Sequence, residues 1–120
     1  MSELLSASEL PDDFVYPAEF LRVVQLNLVD LEPWLILQGE SLLDRHRGLQ
    51  ARYPTRRLVP FAHRTDRDDI ACWDLDLGLA QVSVVDDFEV LGYEQGEVYL
   101  TFYGWFRSAV DDLIEFDDQL

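Results

Sequence analysis

Apolar side chains recur along the first third of this chain at steps of three and four residues. Phe20, Leu21, Val24 and Leu28 follow this spacing, which is typical of one face of an α-helix. Pro17 suits the first helical position, because its missing N–H has no intrahelical partner there. The pattern therefore predicts an amphipathic helix over residues 17–28.

The central part of the chain carries shorter apolar runs. Residues 34–37 form a four-residue apolar run that Gly39 follows, as expected of a buried strand. Sparser apolar positions predict a second helix over residues 40–52, marked by Leu42, Leu43, Leu49 and His46, although the same helix also fits His46 as a surface residue. Three further strands are predicted over residues 58–62, 70–75 and 81–86. Their short connections favour an antiparallel meander.

The last third of the chain ends in the strongest helical pattern. Residues 90–91 and 97–100 predict a small strand or hairpin around two glycines. Thr101 then precedes a helix to about residue 116, and threonine is a favoured N-cap. Its apolar stripe comprises Phe102, Trp105, Phe106, Ala109, Val110, Leu113 and Ile114. The fold class is therefore α+β: a mainly antiparallel or mixed sheet of about four to six strands, flanked by helices and followed by a long C-terminal helix.

Length and cysteine content indicate one domain that folds without disulfide bonds or a structural metal. The 120 residues, 48% of them apolar, suit a single domain over 1–120, with residues 1–13 as a poorly structured lead-in. The single cysteine, Cys72, excludes an internal disulfide and fits a reducing compartment. We find no signal-peptide pattern and no apolar stretch of about 20 residues. We expect a cytoplasmic protein.

The charge balance is strongly acidic. Twenty-four acids oppose nine bases, all of them arginine, for a formal charge of −15. Such a field repels phosphate backbones and anionic membranes, so we expect no nucleic acid or membrane partner and favour a basic protein. Residues 45–67 hold seven arginines and one acid, which predicts a dipolar molecule. Solubility is an alternative reason for the acidity.

Two groups of carboxylates resemble sites. Asp66, Asp68 and Asp69 are close enough in sequence to hold a hard cation, but the glycine and closing glutamate of a helix-loop-helix calcium site are missing. A solvated turn explains them better. Asp86 and Asp87 are adjacent on a strand, so their side chains point to opposite faces and do not converge as an acid/base pair.

Catalytic motifs are absent from the sequence. Cys72 with His46 or His63 would make a nucleophile and a base, but Cys72 lies within a strand between Ala71 and Trp73, where a core role explains it. No phosphate loop, zinc-protease motif or nucleophile elbow occurs. We expect no enzyme activity, no cofactor and no metal, with a small metal-dependent enzyme as the weakest alternative.

Three stretches in order carry a family resemblance. They are Arg52-Tyr53-Pro54, Leu58-Val59-Pro60-Phe61-Ala62 and Asp68-Asp69-Ile70-Ala71-Cys72-Trp73-Asp74. Together they resemble the core signature of the SUKH superfamily, also called the Smi/Knr-type family. The strand end Val84-Val85-Asp86-Asp87-Phe88 and the helix start at 102–106 are similar to its continuation.

This resemblance implies an α+β fold without catalytic machinery. Bacterial members are commonly immunity proteins that bind and neutralise toxins, many of them nucleases, whereas fungal relatives are scaffolds in the regulation of cell-wall synthesis. The resemblance thus implies a toxin inhibitor, or alternatively a regulatory scaffold that binds a housekeeping protein. For the toxin inhibitor we expect the partner to contact acids at strand ends and loops: Asp66, Asp68, Asp69, Asp86, Asp87 and Glu89.

Overall fold

Six antiparallel strands, arranged in sequence order, form one sheet in the computed structural model, which describes residues 4–119. Each strand pairs with the next one along the chain, so β1 and β6 are the two edges. The strands are β1 Asp30–Leu31, β2 Trp34–Ile36, β3 Leu58–Arg64, β4 Asp69–Asp74, β5 Val82–Asp86 and β6 Gln95–Tyr99. The predicted antiparallel meander of three strands is confirmed as β3, β4 and β5, and β1, β2 and β6 extend it to six strands.

Residues 4–119 also form three helices: α1 Ala18–Gln25, α2 Gly39–Arg52 and α3 Phe102–Asp118. The hydroxyl oxygen of Thr101 accepts a hydrogen bond from the Gly104 amide at 3.1 Å, as expected of an N-cap. Asn27, with φ of 59°, follows the end of α1 in the left-handed region that asparagine tolerates. The predicted α+β class, with a long C-terminal helix, is confirmed.

Alternation along the strands separates two layers of apolar packing. On one face, Trp73 of β4 packs with Phe61 at a ring distance of 4.4 Å and with Phe20 of α1 at 5.0 Å. Trp105 of α3 packs edge-on against Phe61 at 4.8 Å. The other face meets α2 through Leu49, Tyr53, Leu58, Ile70, Cys72 and Val85. The sheet is therefore covered by α1 and α3 on one side and by α2 on the other.

Several local predictions need correction. Residues 90–91 form a turn rather than a strand, and β6 begins at Gln95. The buried residues of α1 are Phe20 and Val23, whereas Leu21 is exposed. His46 is not a surface residue, because α2 turns it inward and leaves it 1% exposed.

The N-terminal segment contributes to the core without regular structure. Residues 4–13 form turns, with no helix or strand, and residues 1–3 of the predicted lead-in lie outside the described residues. Leu5 is nevertheless buried in the larger core cluster. The Glu9 carbonyl bonds His46 Nε2 at 3.0 Å, and the Glu9 carboxylate pairs with Arg47 at 2.9 Å. The segment is thus attached to α2.

Within residues 4–119, no helix has both the length and the hydropathy that crossing a membrane requires.

Candidate protein-binding surface

The β3–β4 turn, residues 65–68, and the β5–β6 loop, residues 87–94, meet at one end of the sheet. The Asp87 amide donates a hydrogen bond to the Asp68 carbonyl at 2.9 Å, which joins the two connections. At the next position along the two strands, Asp69 of β4 lies directly opposite Asp86 of β5. Antiparallel pairing therefore brings together acids that are 17 residues apart in the sequence.

Four carboxylates form what we call the acidic cluster: Asp68, Asp69, Asp86 and Glu89. Asp69 pairs with Arg67 at 3.2 Å, whereas the other three form no ion pair with the described residues. Partial burial raises the pKa of Asp86, and the neighbouring charges of Glu89, Asp69 and Asp68 raise it further. Like charges placed opposite one another on adjacent strands are destabilising. Three of the four carboxylates thus form an unneutralised negative surface within the described part of the chain.

Asp87 does not belong to this surface. Its side chain is fully buried on the opposite face of the sheet, where Arg45 binds one carboxylate oxygen at 3.2 Å and Arg52 binds the other. A buried carboxylate that is paired twice offers no free charge to a partner, so Asp87 is left out of the proposed contact. The argument that Asp86 and Asp87 point to opposite faces is confirmed.

Asp66 lies beside the cluster and is neutralised. Arg64 donates two hydrogen bonds to its carboxylate, at 2.9 and 3.1 Å, and these bonds lower the pKa of Asp66. Arg64 also contacts Asp112 of α3 at 3.4 Å. Arg64 therefore links Asp66 to α3, and the charge of Asp66 is less available to a partner than that of Asp86.

The arginine-rich segment does not form a separate positive surface. Each of its seven arginines is ion-paired with an acid, as in the pair of Arg56 with buried Asp74 and Glu94, at 2.8 Å each. The other six are Arg45, Arg47, Arg52, Arg57, Arg64 and Arg67. The positive charges of this segment are thus each balanced locally by an acid.

Two features of this end of the molecule were missed at the sequence level. The second half of α3 carries Asp111, Asp112, Glu115, Asp117 and Asp118, with no base in its last turn. Acids at a helix C-terminus oppose the helix dipole, so folding alone does not favour them there. In the sequence, this feature is visible as the excess of acidic over basic residues after Asp74.

The second missed feature is apolar. The β5–β6 loop exposes Phe88, Val90, Leu91 and Tyr93 next to Asp86 and Glu89. The pair Val90 and Leu91 had suggested a strand, so solvent exposure was not expected. Tyr93 is 78% exposed, whereas Tyr53, which lies beneath the loop, is buried at 1% exposure.

The remaining candidate chemistry is buried. Cys72 is fully buried in β4, as its predicted core role requires, and burial raises the pKa of its thiol well above the ordinary value. Burial lowers the pKa of His46 and of His63. No group of three or more His, Cys, Asp or Glu side chains among residues 4–119 is arranged to hold a metal ion.

Comparison of the chain with protein-family models, with curated proteins and with solved structures gave no match.

Proposed function

We propose that this protein is a non-catalytic binding module of the immunity type, which binds and neutralises a basic toxin domain through the acidic cluster. The resemblance to the SUKH superfamily and the charge of −15 both support this proposal. The observation that carries it is the position of Asp86, which faces Asp69 across β4 and β5 with Asp68 and Glu89 nearby.

A cationic partner would relieve the repulsion within this cluster. Charge complementarity of this kind accelerates encounter and excludes partners of the wrong sign. A nuclease toxin needs a basic surface to hold phosphate, and the acidic cluster would occupy that surface in place of the nucleic acid. Inhibition then needs no catalytic group in the inhibitor.

The test is capture of partners from lysate of the source cell, followed by binding kinetics with the purified partner. We expect a basic protein whose affinity falls as NaCl rises from about 50 to about 300 mM, because salt screens exposed charges over this range. The purified chain should also inhibit that protein's activity. A basic partner that is not inhibited would instead favour the regulatory scaffold.

Matched charge variants distinguish an effect of the acidic cluster on association from an effect of net charge. Asp86→Asn with Glu89→Gln should slow association about tenfold and reduce the salt dependence. The control, Asp12→Asn with Glu19→Gln, makes the same change in net charge at exposed positions outside the cluster. Equal effects of the two double variants would refute a specific role for the cluster.

A further inference from the structure

The β5–β6 loop exposes four large apolar side chains that are close in the sequence. The exposed fractions are 62% for Phe88, 66% for Val90, 64% for Leu91 and 78% for Tyr93, all within six consecutive residues. Single exposed apolar residues are ordinary, but a contiguous group of large ones is typical of an interaction site.

The inner side of the same loop is firmly attached to the domain. Tyr53, itself buried, donates its hydroxyl hydrogen towards the carbonyls of Asp86 at 3.1 Å and Glu89 at 2.8 Å. At the start of the loop, buried Asp87 binds two arginines of α2. At its end, the Glu94 carboxylate accepts a hydrogen bond from the Gly92 amide at 2.7 Å.

Two further contacts fix the conformation of the loop. The Arg56 guanidinium binds Glu94 at 2.8 Å and connects it to Asp74 of β4. Gly92 has φ of 97°, a conformation that residues with a Cβ rarely adopt. Because these contacts already fix the loop backbone, the loop loses little conformational entropy when its exposed apolar residues bind a partner, which favours affinity.

Charge complementarity identifies the kind of partner that covers this loop. A second copy would bring a further formal charge of −15 towards the first, and anionic lipid or nucleic acid is repelled in the same way. Asp86 and Glu89 border the apolar side chains, so the matching surface has an apolar cleft with a basic rim. That combination describes a basic protein.

We propose that Leu91 and Tyr93 are the apolar anchors of the interface and enter a cleft on the basic partner. This inference rests on the proposed function and deepens it. Acids at the rim govern association and its salt dependence, whereas anchors in a desolvated cleft govern dissociation. The two contributions are therefore separable by experiment.

The first experiment locates the contact in the intact protein. A photoreactive benzoylphenylalanine replaces Leu91 in one variant and Leu26, which is 51% exposed on the C-terminal side of α1, in the control. After irradiation in the source cell, we expect a crosslink to a basic protein from position 91 and little from position 26. No crosslink, equal crosslinks, or a partner that is not basic would overturn the inference.

The second experiment measures kinetics with the basic protein that position 91 crosslinks. Leu91→Ser with Tyr93→Ser should raise the dissociation rate about 10- to 100-fold while leaving the salt dependence nearly unchanged. Val15→Ser with Leu26→Ser is the control, because both residues are comparably exposed away from the loop and should leave the rate unchanged. Thermal unfolding of each variant checks that the fold is intact.

The outcomes distinguish the inference from the function it rests on. If the anchor variants dissociate at the wild-type rate while Asp86→Asn with Glu89→Gln still slows association, the anchors are refuted and the proposed function stands. If the binding of a partner at position 91 shows no salt dependence and neither the charge variants nor the anchor variants change its kinetics, both are refuted.

Discussion

Replacing Asp86 with asparagine should make this protein more stable. Asparagine keeps the size of the side chain and removes the charge that faces Asp69, and no described hydrogen bond of the Asp86 side chain is lost. Relief of a like-charged cross-strand pair contributes up to about 1 kcal/mol. Asp68 and Glu89 add smaller effects, since solvent and salt screen them. We expect a gain of about 0.5–1.5 kcal/mol at neutral pH, or roughly 2–6 °C in Tm.

The pH dependence of this gain gives a sharper test. The pKa of Asp86 is raised in the folded protein above its ordinary value of 3.8. The stabilising effect of the protonated form is therefore complete below that value and is lost as pH rises through the folded pKa. The advantage of Asp86→Asn should accordingly be present at pH 7 and shrink towards about pH 4, where the wild-type carboxyl takes up its proton.

Urea unfolding at both pH values measures this difference, with the fluorescence of the buried residues Trp34, Trp73 and Trp105 as the signal. Repeating the pH 7 experiment in about 1 M NaCl should reduce the gain, because the Debye length falls to about 3 Å. Asp12→Asn, at an exposed position without a described partner, should change stability by less than about 0.5 kcal/mol. A loss of stability in Asp86→Asn, or a gain that neither acid nor salt diminishes, would refute the electrostatic reasoning.

Three further predictions concern buried groups. Asp87→Asn should destabilise by about 2–4 kcal/mol in urea unfolding, since it removes the buried charge that Arg45 and Arg52 share; an unchanged midpoint would contradict this. Because the pKa of His46 is lowered in the folded protein, the unfolded chain takes up a proton at higher pH, and the free energy of unfolding should fall as pH drops below the ordinary value of 6.5. In His46→Gln the urea midpoint should therefore depend less on pH between about pH 7 and pH 5.5. A steeper dependence in the variant would be the contrary result. The thiol of Cys72 should react with a thiol reagent at least about 100-fold more slowly in the native protein than in urea, because it is fully buried and its pKa is raised; rapid native labelling would show that β4 opens readily.

The parts of the fold that the sequence predicted are those set by local patterns. The stripe from Phe102 to Ala109 and the cap at Thr101 specify α3 without reference to the rest of the chain. The strands around Phe61 and Trp73 are likewise apolar runs separated by polar turns.

The parts that were missed depend on distant contacts. His46 is polar, yet the Glu9 carbonyl, 37 residues earlier, satisfies one ring nitrogen in the interior. Val90 and Leu91 have the composition of a strand, but the turn at Gly92 and the contacts of Glu94 hold this stretch outside the sheet. Apolar composition alone does not distinguish a buried strand from an exposed binding loop.

The roles of the acids in the candidate site likewise depend on contacts that are distant in the sequence. Asp86 and Asp87 are adjacent and chemically identical, yet Asp86 at the end of β5 lies near other acids, whereas Asp87, the first residue of the β5–β6 loop, lies between two arginines of α2. The same substitution should therefore stabilise the protein at the first position and destabilise it at the second. If Asp86→Asn also weakens binding of a basic partner, its stability and its function change in opposite directions, which is expected of a residue kept for recognition. Loss of binding in Asp87→Asn, by contrast, would follow from a displaced β5–β6 loop and should be accompanied by loss of stability.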